Sequence, residues 1–224
     1  MRAIAAELRE SPTLPELVRD LEALLEDERA RREHFYAEMS EEQKAEFING
    51  EVIVHSPATN RHLIVRDNLQ RLLRLHVEAR QLGEVRGEKA LCVFPRNDYE
   101  PDVCFFGPAK SAGLRPDTRK FPIPDFIAEV LSESTEARDR GQKFRDYEAH
   151  GVAEYWLVDP GNELVEQYIL RAGRYTLAIK AATGEVRSAA VPGFVVPVRA
   201  LFDSVLNLRA LQELLPAAGS APSS

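Results

Sequence analysis

A carboxylate in the middle of an apolar run constrains this chain more than any bulk property. The stretch Phe126-Ile-Ala-Glu-Val-Leu131 follows Pro124-Asp125 and runs into Ser132. It is short, partly β-branched and bounded by turn residues, the pattern of a buried strand. Side chains alternate along a strand, so Asp125, Ile127, Glu129 and Leu131 share one face. An ionised Glu129 there is costly unless it is paired, hydrogen-bonded or bound to a metal. The fold must supply a partner, and a second carboxylate with a metal ion between the two is the leading candidate.

The rest of the chain reads as elements that fit around such a strand. Leucines and a valine from Leu14 to Leu25 recur at helical spacing, predicting an amphipathic helix over 14–33. Its apolar stripe needs a partner surface, either this chain's own core or a second subunit. Asn49-Gly50 between apolar runs signals a hairpin. Residues 60–80 read as a helix with Val65, Leu69, Leu72, Leu73 and His76 on one stripe. Ala90–Phe94, Asp102–Phe106 and Glu154–Asp159 read as strands. A helix is expected from Ser134 or Thr135 to about His150, stopped by Gly151. A hairpin over 164–179, further strands over 184–196, short helices over 199–215 and a disordered tail 216–224 complete the chain. This order predicts an α/β (α+β) domain on a mixed sheet flanked by helices.

Bulk properties exclude some classes. No apolar run approaches the roughly 20 residues of a membrane span, and the acid-rich N-terminus has no signal-peptide apolar region, so a cytoplasmic location is expected. Cys92 and Cys104 fit no zinc spacing and read as small buried thiols. The net charge of −7 lies entirely in residues 1–51, where 14 acids face 7 bases; the remainder is neutral. Global charge therefore neither supports nor excludes a polyanionic partner.

The candidate chemistry starts from Pro101-Asp102, which opens one strand, and Glu129 on a later one. If these strands are neighbours, two hard carboxylates converge, a donor set suited to Mg²⁺ or Mn²⁺. Such an ion activates water and neutralises charge on a phosphate, which is phosphodiester hydrolysis chemistry. Lys143, on the helix after the Glu129 strand, is placed to orient that water or stabilise the developing charge. Its structural alternative is a surface pair with Asp139 four residues earlier. Asp102 is equally compatible with ordinary turn chemistry.

The segments PDVCFF, PDFIAEVLSEST and ARDRGQKFRDYEAHGVAEYWLVDP, with FINGEVIVHSPATNRH upstream, resemble the Uma-type restriction endonuclease family of the PD-(D/E)XK nuclease superfamily. The resemblance spans roughly residues 40–205 and implies an N-terminal helical extension (1–40), a nuclease domain (41–205) and a C-terminal helix and tail (206–224). It implies a restriction-endonuclease-like core with Asp102 and Glu129 as metal ligands. The superfamily usually places a lysine two residues after the acidic strand residue, but Leu131 fills that position and Lys143 stands at the matching place on the next helix. The resemblance also carries Glu51 and His62 as candidate site residues. Their structural alternatives are an exposed hairpin residue and a core-edge histidine. Tyr147 is expected to pack helix against sheet, with its hydroxyl near the site, and Glu133 replaces a proline frequent in the family.

Nucleic acid, with DNA favoured, is the expected partner. Lys110, Arg115, Arg119 and Lys120 make the loop 107–122 locally basic between the two ligand strands. The leading expectation is a Mg²⁺- or Mn²⁺-dependent endonuclease, with the 14–33 stripe offering a homodimer interface. The alternative is an inactive nuclease-fold module for nucleic-acid or protein binding. A two-carboxylate glycosidase is a weaker third reading, since the chain has one Trp and no evident sugar platform.

Overall fold

The structure, a computed structural model, describes residues 8–40 and 43–215. The tail expected over 216–224 lies outside the described residues. The chain divides into two compact units between His55 and Ser56. That division falls within the 41–205 segment, which had been bounded by the extent of a resemblance rather than by compactness.

The first unit contains α1 (Leu14–Glu38) and the antiparallel hairpin β1 (Ala45–Ile48) and β2 (Glu51–Val54). Asn49 and Gly50 at its turn have φ of 51° and 83°, as a two-residue hairpin turn requires. Phe35 of α1 stacks on Phe47 of β1 with ring centroids 5.9 Å apart. The helix runs five residues past its predicted end, because Phe35 is buried against the hairpin. Leu17, Val18, Leu21, Leu24 and Leu25 on its earlier turns are exposed.

The second unit begins with α2 (Asn60–Ala79), whose Thr59 hydroxyl caps the helix by accepting from the His62 N–H at 3.3 Å. Its buried stripe includes Val65, Leu69, Leu72, Leu73 and His76, as the spacing predicts. Next come β3 (Glu84–Gly87), β4 (Leu91–Val93), β5 (Asp98–Tyr99), β6 (Val103–Phe106), the short α3 (Pro108–Ser111), β7 (Lys120–Phe121) and β8 (Phe126–Val130). A helical run over 136–149 follows: α4 (Glu136–Arg138), a π-helical turn (Asp139–Lys143) and α5 (Phe144–Ala149). Gly151 ends it at φ 82°. The chain continues through β9 (Glu154–Asp159), β10 (Leu164–Arg171), β11 (Arg174–Ala181), β12 (Glu185–Arg187), β13 (Val195–Pro197), a 3-10 turn (Val198–Leu201) and α6 (Ser204–Leu214).

The central sheet is mixed, in the order β11-β10-β9-β8-β6-β3. Only β8 and β9 run parallel within it. Parallel neighbours need a long crossover, and the helical run 136–149 supplies it. Val103, Phe105, Phe126, Ala128, Val130 and Trp156 face one core, packed with residues of α2, α6 and the β12–β13 ribbon. Period-two alternation sends Cys104, Ile127, Glu129 and Tyr155 to the opposite face. There Tyr147 and Phe144 of the helical run pack edge-on against Tyr155, and Phe94 and Tyr99 pack against Tyr147. Glu129 therefore belongs to the tyrosine-rich layer on this face, apart from the core under α2 and α6.

Candidate active site

The strands that carry the two carboxylates are neighbours. Antiparallel pairing sets Val103 of β6 opposite Ala128 of β8. Asp102, one residue before β6, therefore arrives beside Glu129 and Val130. The Asp102 N–H donates to Glu129 Oε2 at 3.3 Å, and the Val130 N–H donates to Asp102 Oδ2 at 2.9 Å. Asp102 and Glu129 are 5% and 2% exposed.

The helical run completes the cluster from above. Lys143 Nζ donates to Glu129 Oε1 at 2.9 Å, and the Tyr147 hydroxyl donates to the same oxygen at 3.0 Å. Lys143 Nζ also lies 3.5 Å from Asp139 Oδ1 and 5.8 Å above the Tyr99 ring. Asp139 and Lys143 are both 2% exposed, which overturns their reading as a surface pair. The two residues bound the π-helical turn, where an extra residue widens the helix; such turns recur at functional sites. Tyr155 holds this turn by donating to the Asp139 carbonyl oxygen at 3.1 Å. Burial, with the negative charges of Asp139 and Glu129, pushes the Tyr155 phenol well up, so it stays a neutral donor. Arg140 anchors the next position, donating to both Glu166 oxygens at 2.9 and 3.2 Å. Burial pulls the Glu166 carboxyl upward, but hydrogen bonds from Arg140, Tyr168 and Lys180 outweigh it and set it at about 2.

Of the remaining expected site residues, His62 lies beside the pair. His62 Nε2 lies 3.5 Å from Asp102 Oδ2, close enough for charge pairing but long for a hydrogen bond, and its Nδ1 is buried without a hydrogen-bond partner. Glu51 belongs to the other compact unit, where it is exposed at the start of β2 opposite Ile48. The basic loop joins the end of β6 to the start of β8, so its roots lie at the ends of these strands opposite the Asp102–Glu129 pair. Within it Lys110 pairs with Asp125 at 2.6 Å, while Arg115, Arg119 and Lys120 are exposed. On α2, Arg66 pairs with Asp67 and Glu88, and Arg74 with Glu78. Cys92 and Cys104 are buried free thiols, and burial together with the Cys104 hydrogen bond pushes the Cys92 thiol well up.

Among the described residues, no group of three or more His, Cys, Asp or Glu is arranged to hold a metal ion. Two carboxylates are nevertheless a sufficient protein donor set for Mg²⁺, which retains several waters. The Lys143 ammonium already supplies positive charge at Glu129 Oε1. The residues fit a hard divalent cation. A cleft of about 440 Å³ shares the first turn of α2 with this site, lined by Asn60, Arg61, Pro160 and Gly161 among others.

The missed site features are Asp139 and the π-helical turn. The i,i+4 spacing of Asp139 and Lys143 was visible, but nothing in it distinguishes a buried pair from a solvated one.

Comparisons with known proteins bear on the fold and on the family. An uncharacterized Synechocystis sp. protein, sll1609, is 32% identical over 140 residues, which is 61% of this chain and 77% of that protein. A second uncharacterized Synechocystis protein, slr1290, is 27% identical over 139 residues, 61% of this chain and 71% of its own length. The fold resembles the crystal structure of an Anabaena variabilis protein titled a putative nuclease belonging to DUF820. The TM-score is 0.65 at 19% identity, over 77% of this chain and 96% of that one. Residues 31–199 match the Uma2 family, described as "Putative restriction endonuclease". The chain belongs to the Uma2 family.

Proposed function

We propose that this protein is a divalent-metal-dependent endonuclease that hydrolyses phosphodiester bonds in DNA. The observation that carries the proposal is the sealed Glu129 carboxylate. It is met by the Asp102 main chain, the Lys143 ammonium and the Tyr147 hydroxyl at one end of neighbouring strands. Family membership supports a nuclease; the choice of metal and of DNA is our own reading.

Asp102 and Glu129 are the residues that would hold Mg²⁺ or Mn²⁺. The ion, when bound, supplies a water of lowered pKa and offsets charge on the phosphate. The Val130 N–H fixes one Asp102 oxygen, and His62 adds positive charge near it when protonated. Tyr147 fixes Glu129 Oε1. Lys143 provides a buried ammonium for the anionic substrate and its charged transition state. The exposed stripe of α1 would join two copies in a cytoplasmic homodimer, so that two sites cut two strands.

The test is nicking of supercoiled plasmid with Mg²⁺ or Mn²⁺, beside EDTA and the Asp102→Ala and Glu129→Ala variants. Metal-dependent nicking lost in EDTA and in both variants is expected. A wild-type protein that neither nicks nor binds Mn²⁺ would overturn the proposal in favour of a non-catalytic nuclease-fold binding module.

A further inference from the structure

We infer that Asp139 is a positioning residue that receives the Lys143 ammonium when a divalent cation occupies the Asp102–Glu129 pair. This rests on the metal-dependent reading above and extends it to a residue outside the ligand set.

A cation and the Lys143 ammonium compete for one carboxylate. Glu129 Oε1 accepts from both Lys143 and Tyr147, and Oε2 accepts from the Asp102 N–H. A hard cation between Asp102 and Glu129 needs lone pairs on these same carboxylates. It also brings two positive charges towards an ammonium that is 2.9 Å from Glu129, in a place too sealed for water to screen them. The ammonium must then move away from Glu129, and a buried ammonium without an anion is strongly disfavoured.

Asp139 supplies that anion. Its Oδ1 lies 3.5 Å from Lys143 Nζ, so a small swing of the flexible lysine stem exchanges one carboxylate for the other. The Asp139 main chain is held in place. Tyr155 holds its carbonyl oxygen, and the Arg140–Glu166 clamp holds the next residue. The π-helical turn, with Asp139 and Lys143 at its two ends, keeps both side chains on the buried face. Lys143 is the moving partner and Asp139 the stationary one, and the lysine remains charged and close to the site in both positions.

The experiment is Mn²⁺ binding by isothermal titration calorimetry on the full chain, as a double-mutant cycle of D139N and K143M, with circular dichroism on each variant. D139N is expected to weaken Mn²⁺ binding about tenfold, within the usual range of coupling between sites. In the K143M background the same substitution should cost less than about threefold, because no ammonium remains to be received. An equal loss in both backgrounds would overturn the inference, since Asp139 would then act on the ion itself. Unchanged binding in D139N would overturn it as well. If D139N does not fold, D139S takes its place in the cycle, and K143M tests the competition on which the inference rests. Binding should tighten severalfold once the competing ammonium is gone, and unchanged or weaker binding contradicts the proposal. Absence of Mn²⁺ binding by the wild type defeats the metal-dependent reading and this inference with it, an outcome distinct from any change confined to a variant.

Discussion

Two glutamates on neighbouring strands, Glu129 on β8 and Glu154 on β9, are sealed from solvent at 2% and 0% exposure and are held in opposite ways. Glu154 accepts from Trp156 Nε1, Gln167 Nε2 and Ser188 Oγ, each at 2.6 Å, and from the Ala189 and Ala190 N–H groups at 2.8 Å. Every one of these donors is neutral. Glu129 accepts from a cation, a phenol and a main-chain N–H, with a second acidic side chain next to it. The first arrangement satisfies a carboxylate completely and ties β9 to β10 and to the loop after β12, a structural task. The second sets a carboxylate between a cation and a second acid, the surroundings that the proposed metal site would use. Burial of a carboxylate therefore demands an explanation without naming which one; the charge of its partners separates the two cases.

The difference between the two glutamates should be largest in catalysis, smaller in stability. Lys143→Met should lower plasmid cleavage by about 100-fold or more, as loss of a charge-stabilising or proton-moving group does. Retained cleavage would reduce Lys143 to a structural counter-ion, and Glu129 would then resemble Glu154. Glu154→Gln should instead cost stability, by about 1–3 kcal/mol, because the amide cannot accept at both ends and strands some of the buried donors. Urea unfolding measures that loss, and cleavage per folded molecule should not change. The smallest effect belongs to Glu166, whose carboxyl sits at about 2 in the fold against an ordinary 4.5. A depressed folded value means that its stabilising contribution is complete above pH 4.5 and is lost as pH falls towards 2. Glu166→Gln should remove this part of the acid dependence of the unfolding midpoint. An unaltered acid limb in the variant would show that the Arg140 clamp contributes nothing to stability.

Much of this arrangement was legible in the sequence where local pattern and tertiary role coincide. The Glu129 run is a buried strand in both descriptions, α2 buries its predicted stripe, and Asn49-Gly50 makes its hairpin turn. Asp102 and Glu129 meet because their strands are neighbours, which sequence spacing permitted without requiring. Glu154 went unremarked because it opens the run Glu154-Tyr-Trp-Leu-Val158, where a charge at the edge looks solvated. Its donors come from residues up to 36 positions away, beyond any local pattern. The π-helical turn was equally hidden, since no composition distinguishes it from an α-turn. Strand β3, with Arg86 and Gly87 among its four residues, lacks a strand pattern and is held by pairing with β6. Where the basic loop is rooted was hidden for a topological reason. A connection between antiparallel neighbours leaves from the strand ends opposite Asp102 and Glu129.

The most direct measurement is nicking of supercoiled plasmid in Mn²⁺ by Glu129→Gln and Glu154→Gln side by side, each corrected for its folded fraction. The account predicts no metal-dependent nicking by Glu129→Gln and wild-type nicking by Glu154→Gln. Equal activity in the two variants would contradict it, for Glu129 would then be as structural as its neighbour.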